Sequence, residues 1–206
     1  ISVGYRHDEL KNLLLNVNYQ HFKDLYIPFG KDFGFFKGDG VYNWIKKAIE
    51  SKFYENKISE AEQKPVTFND IDKNLIIIAT DVSNGSFKEF SRTKTPDIEV
   101  AHAVRASISI PGFFKPVWEN DKCLVDGDVI NNFPIWKESN EILANTSSKI
   151  LEFRLEGTEG AKEISGFMDY FSAILETSYN ISTDILEGKY GKNDQFDIIR
   201  VNAGKV

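Results

Sequence analysis

The 206-residue chain is 41% hydrophobic and 27% charged, the balance of an ordinary globular domain with enough length to bury a substantial core. Its net charge of −6 and pI near 5.2 argue against a nucleic-acid-binding surface, and the acidic residues are dispersed rather than gathered in a tail. One cysteine, Cys123, excludes an intrachain disulfide, and no apolar run approaches the ~18 residues of a membrane span. With no signal-peptide pattern in the first residues, the expected setting is reducing and cytoplasmic.

The first residues, ISVGYRHDELKNLLL, carry no initiator Met and read as the end of one element running into a helix. A domain that is incomplete at its N-terminus is expected. Leu10, Leu13, Leu14 and Val17 follow the i, i+3, i+4, i+7 spacing of an amphipathic helix. Residues 26–40, rich in Gly and aromatics, read as an irregular connection, with Tyr26, Phe29, Phe33, Phe35 and Phe36 expected to pack inward and an acyl-chain entrance or membrane-touching edge as the alternative. A second helix is predicted over 39–53, with Val41, Trp44, Ile45, Ala48 and Ile49 on one face. The run NLIIIATDV has the continuous apolar character of a strand covered on both faces, as in a parallel sheet. A short strand follows at 88–93. Thr95-Pro96-Asp97 marks a helix start, and that helix should run to just before Pro111-Gly112. Its small residues, Ala101, Ala103, Ala106 and Ser107, suit close packing on another backbone. KCLVDG, KILEFRLE and FDIIRVN are further strand candidates, and a long core-packed helix is predicted over about 164–187. The alternation places the chain in the α/β class, as one domain over 1–206.

No cofactor is expected. His7, His21 and His102 lie far apart without ligand spacing, and Cys123 has no partner, so a zinc site has no basis. Asp126 and Asp128 have the first spacing of a calcium loop, but the Gly and Glu that should follow are absent. Neither phosphate-binding glycine motif occurs. The strained serine turn Gly-x-Ser-x-Gly is absent too, and its nearest match, DVSNG at 81–85, reads better as a hairpin turn around Asn84-Gly85. Arg105, among small residues, is expected in a structural salt bridge, with a phosphate headgroup as the alternative. Ser107 and Ser109 read as packing or helix-end residues. The stretch LVDGDVINNFP (124–134) admits a turn, a cation site or a held carboxylate, and Asp-Gly between apolar residues is a hairpin signal.

Three segments together resemble the patatin-like phospholipases: ATDVSNGSFKEFS (79–91), TPDIEVAHAVRASISIPGFFKPV (95–117) and CLVDGDVINNFPI (123–135). YRHDELKNLLL and FFKGDGVYNWI are also similar to family segments, and the likeness weakens after about residue 150. The resemblance implies a three-layer α/β/α fold, here lacking its first strands, and a Ser-Asp dyad that cleaves acyl esters of lipids. It places the dyad's proton acceptor, the Asp of the family's Asp-Gly-Gly/Ala motif, at Asp126. Gly127 would permit a sharp turn beside the carboxylate, and Asn131 and Asn132 would hold the loop through side-chain to backbone hydrogen bonds. Asp128 departs from the motif's Gly or Ala. It is expected to point away from the dyad, because neighbouring side chains in an extended segment alternate faces.

A carboxylate at the end of a buried strand can activate a serine hydroxyl without a histidine. The family's oxyanion loop and serine turn, however, precede the helix that YRHDELKNLLL resembles, and neither lies within these residues. The chain alone should therefore be inactive and, with its serine supplied, act as a lipid acyl hydrolase. Its expected substrate is a phospholipid or another acyl-ester lipid, met in transient contact with a membrane surface. The alternative is a non-catalytic relative that binds lipid or protein.

Overall fold

A computed structural model describes residues 2–27, 30, 32–55, 58–59, 62–129, 150–156, 164–166, 169–178, 181 and 196–202. The chain divides into two compact units, Ile1–Gly127 and Asp128–Val206.

In the first unit the heptad-like apolar spacing yields helix α1 (His7–Leu15), opened by acidic Asp8 and Glu9 in its first turn. A three-residue strand β1 (Gly34–Phe36) interrupts the segment expected to be irregular, and α2 (Asp39–Tyr54) follows. The apolar run becomes β2 (Ile76–Asp81), which turns back through residues 82–85 into β3 (Ser86–Ser91). Asp81 stabilises that turn by accepting from the backbone amides of Ser83 and Asn84 and from Asn84 Nδ2, while Gly85 supplies φ +58°. The hairpin reading of Ser83 is therefore correct.

Helix α3 spans Val100–Ser107, beginning later than Thr95-Pro96 suggested. The backbone of residues 96–100 is instead spent on a neighbouring segment: Asn69 N donates to Pro96 O, Phe68 N to Ile98 O and Val100 N to Val66 O. Thr95 serves the preceding turn, its hydroxyl accepting from Ser91 N. The remaining strands of this unit are β4 (Gly112–Phe114), β5 (Val117–Glu119) and β6 (Lys122–Asp126).

The principal sheet runs β3-β2-β6-β5 with every neighbour antiparallel, so the apolar β2 run belongs to an antiparallel sheet and not a parallel one. Helix α3 packs against it, while Ile76, Ile77 and Ile78 are half-buried rather than fully enclosed. Ala103 and Ala106, which have no bulk to hold the helix away, pack with Ala79, Phe90, Leu124, Val66 and Phe68 in one cluster. Among the described residues Phe68, Phe90 and Leu124 are the largest fully enclosed side chains, each contributing about 1.5–3 kcal/mol by burial.

The small second sheet of this unit arises from a repeat that sequence inspection passed over. GFFK occurs at 34–37 and at 112–115, and the two copies pair in parallel, Gly34 opposite Gly112 and Phe36 opposite Phe114. A side chain at Gly34 would run into the Phe114 backbone. Of the five aromatics, Phe33 and Phe35 are exposed rather than packed inward, Tyr26 and Phe36 are half-buried, and Phe29 lies outside the described residues.

In the second unit β7 (Ile150–Glu156) and β8 (Phe196–Asn202) form a parallel pair in register from Ile150–Phe196 to Glu156–Asn202. Residues 169–178 are helical. Of the expected core stripe, Phe167 lies outside the described residues, Tyr170, Ile174 and Ile181 are exposed, and Phe171 and Leu175 are half-buried. Among the described residues no helix is long and apolar enough to cross a membrane.

Candidate active site

Strand alternation puts Leu124 and Asp126 on the same face of β6, and Leu124 is packed with α3. Asp126 ends the strand with its backbone fixed on two sides. It lies opposite Ala79 of β2, and its amide donates to Ser109 O at 3.0 Å. The residue is half-buried.

The chain does not turn back at Asp126-Gly127 as a hairpin. Gly127–Val129 form a single 3-10 turn. The hairpin in this region joins β5 to β6, and its two central residues, Asn120 and Asp121, adopt φ +49° and +63°, as a tight primed turn requires. Gly127 does not have positive φ either, so its value is not conformational freedom. It is close approach: a Cβ there would stand 2.6 Å from Ile78 O. The Gly127 carbonyl accepts from the buried Thr80 hydroxyl at 3.3 Å, and Ser107 Oγ donates to Ile78 O at 2.7 Å. The end of α3, the middle of β2 and the Asp-Gly step are thereby tied together. Because residues 127–129 are not extended, face alternation does not govern Asp128. Asn131 and Asn132 lie outside the described residues.

Behind this corner sits Arg105, only 6% exposed. Nε donates to Gly38 O at 3.1 Å, Nη2 to Lys37 O and Lys115 O at 2.7 and 2.8 Å, and Nη1 to Ser109 Oγ. The guanidinium also lies over the Phe114 ring at 5.3 Å. The expected salt bridge is thus replaced by backbone carbonyls. Burial lowers the Arg105 pKa, opposed by the charges of Asp24 and Asp39, and a guanidinium remains charged regardless. Gly38, at φ +79°, has no room for a side chain beside that guanidinium. Asp24, which sequence inspection did not single out, accepts from the Gly38 and Gly40 amides at 2.9 Å and holds this loop in place.

The histidines stay apart. His7 pairs with Asp8 at the surface, His21 contacts Asn18, and His102 sits edge-on to Phe90. Cys123 is buried, which pushes its thiol pKa up.

The sequence model of patatin-like phospholipases matches residues 1–137, two thirds of the chain, including every segment just described. The chain belongs to the patatin-like phospholipase family. The mixed α/β architecture agrees with that membership. An uncharacterized protein of Acanthamoeba polyphaga mimivirus is 27% identical over 98% of the chain and 67% of its own length. An uncharacterized Bacillus subtilis protein, YqhO, is 33% identical over 70% of the chain and 49% of its own length. A protein of Invertebrate iridescent virus 6 described as a probable lipid hydrolase is 28% identical over 50% of the chain and 34% of its own length. Against the last two, this patatin-like chain spans half or less of the relative.

Proposed function

We propose that this chain carries the carboxylate base of a lipid acyl hydrolase, with Asp126 as the proton acceptor of a Ser-Asp dyad whose serine lies outside residues 1–206. The observation that carries the reading is the seat of Asp126. It ends a strand paired on both sides, its amide is bonded to Ser109 O, and the glycine after it is pressed against Ile78 O. A base works by being held within hydrogen-bond reach of the hydroxyl it deprotonates, and a seat of this kind provides that constancy.

In the reaction, the serine hydroxyl proton passes to the Asp126 carboxylate as the serine oxygen attacks the acyl carbonyl. Collapse of the tetrahedral intermediate breaks the ester bond, and the departing alcohol takes the proton from Asp126. Water then attacks the acyl-serine, again giving its proton to Asp126. Release of the fatty acid returns that proton to the serine. No histidine has a part. The family match and the relative described as a probable lipid hydrolase favour a phospholipid or similar acyl ester over other esters.

The test is Asp126→Asn in the intact protein, assayed on a short-chain nitrophenyl ester and on phospholipid vesicles. Asn keeps the shape but cannot take the proton, so kcat should fall by about 10²–10⁴-fold at unchanged melting temperature. Full activity in Asp126→Asn would remove the assignment. A wild-type protein that binds the vesicles and never cleaves them would favour a binding relative.

A further inference from the structure

A cavity of about 340 Å³ opens beside Arg105, and neither Asp126 nor Gly127 is among the residues that line it. Tyr26, Lys37, Asp39, His102, Arg105 and Lys115 are among the residues that line it, with Asp32 beside them. The volume lies in the range of small-molecule sites. Three of its features go unused by the reaction proposed above. The Tyr26 hydroxyl is fully enclosed yet has no hydrogen-bond partner among the described residues. A buried hydroxyl in that state is destabilising unless something completes it. The Lys37 side chain, though exposed, has no ion-pair or hydrogen-bond partner among the described residues, while Lys115 and Asp32 in the cavity wall are paired with each other. Arg105 spends four of its five N–H groups on Gly38, Lys37, Lys115 and Ser109, leaving one Nη1 hydrogen.

The charges in the wall add to +1: Lys37, Arg105 and Lys115 against Asp32 and Asp39. Asp32 is already engaged, at 2.5 Å from Lys115 Nζ. What the wall lacks is a compact anion with several acceptor oxygens, able to reach two ammonium groups, a guanidinium N–H and a phenol together. A phosphate group has that form; a cation would meet an excess of like charge. The two carboxylates leave places for hydroxyl groups on the rest of the ligand.

We propose that this cavity binds a small phosphate ester, its phosphate taken by Lys37, Lys115, Arg105 and the Tyr26 hydroxyl. The site does not depend on Asp126 being a base, since none of its residues enters that chemistry. Two sources share the chemistry: a free phosphomonoester, or the phosphodiester headgroup of a lipid.

Isothermal titration calorimetry on the intact protein, in phosphate-free buffer, separates them with glycerol phosphate as the monoester and glycerophosphoglycerol as the diester. Saturable binding of either supports the site, and which one binds more tightly names the source. Lys37→Gln should weaken binding roughly tenfold, the loss of one charge-assisted contact, while leaving the fold intact because this exposed lysine is unpaired. Tyr26→Phe should weaken binding severalfold yet melt no lower than wild type without ligand, since it deletes an unpartnered hydroxyl. No saturable binding of either probe, or equal affinity in wild type and Lys37→Gln, would overturn the proposal.

Discussion

Replacing Gly127 by alanine tests the corner that seats Asp126. The new Cβ would stand 2.6 Å from Ile78 O, roughly 0.7 Å inside the closest ordinary C···O approach. Ile78 cannot give way easily. It pairs with Glu89 on β3, and its carbonyl already accepts from Ser107 Oγ at 2.7 Å. The displacement therefore falls on residue 127 and on Asp126 before it. Overpacking of this kind costs about 1–3 kcal/mol, and loss of the Thr80 bond to the Gly127 carbonyl adds about 1 kcal/mol. In a chain of this size, each kcal/mol lowers the melting temperature by about 2–4 °C, which gives a fall of roughly 4–16 °C. A displacement approaching 1 Å costs catalysis up to about 10²-fold, so kcat/KM on the short-chain ester should fall by tens of fold or more. Gly85→Ala is the control: its site has open space and φ +58°, so it costs only about 1–2 kcal/mol of backbone strain and leaves activity alone. If Gly127→Ala melts with the wild type and keeps its kcat/KM, close approach at this corner does not position Asp126.

Arg105→Lys should destabilise by about 3 kcal/mol or more, because an ammonium cannot span the four acceptors the guanidinium now serves. The urea midpoint at constant m reads this directly, and an unchanged midpoint would show that the four guanidinium bonds do not hold the fold together. Burial and the hydrogen bond to Glu99 push the Tyr42 pKa up to about 12. The fold thus favours the neutral phenol, a stabilisation present below the ordinary pKa of about 10 and lost as pH rises from there through 12. Tyr42→Phe should delete a step near pH 12 from an alkaline absorbance titration. A step that persists in the variant would assign it elsewhere.

Much of the fold was legible because it was local. The spacing of Val41, Trp44, Ile45, Ala48 and Ile49 gave α2 to within a residue, and Asn84-Gly85 gave the β2–β3 turn, since both signals lie within a few neighbours. Strand direction was not legible. A continuous apolar run reports that both faces are covered, not which way the neighbouring strands run. The start of α3 was misplaced because the Thr95-Pro96 signal competes with backbone bonds to residues 66–69, which no local window contains. At the proposed site the motif drew attention to Asp126 and Gly127, but the close approach that leaves no room for a side chain at Gly127 involves Ile78 O, 49 positions away in the chain. Arg105 was recognised as structural while its partners were missed. Backbone carbonyls have no sequence signature.

The doubled GFFK segment has a consequence for how the chain keeps its alignment. A parallel ribbon only three residues long has little of its own to stop it slipping, and a slip by one residue would turn every side chain to the opposite face. Both copies, however, run directly into the lysine whose carbonyl binds Arg105 Nη2. One nitrogen thus measures two strands against each other. Shift either copy by a single position and one carbonyl leaves its place, stranding a buried charge. The guanidinium acts as a gauge of register, and the cost of an unpaired buried cation sets its tolerance.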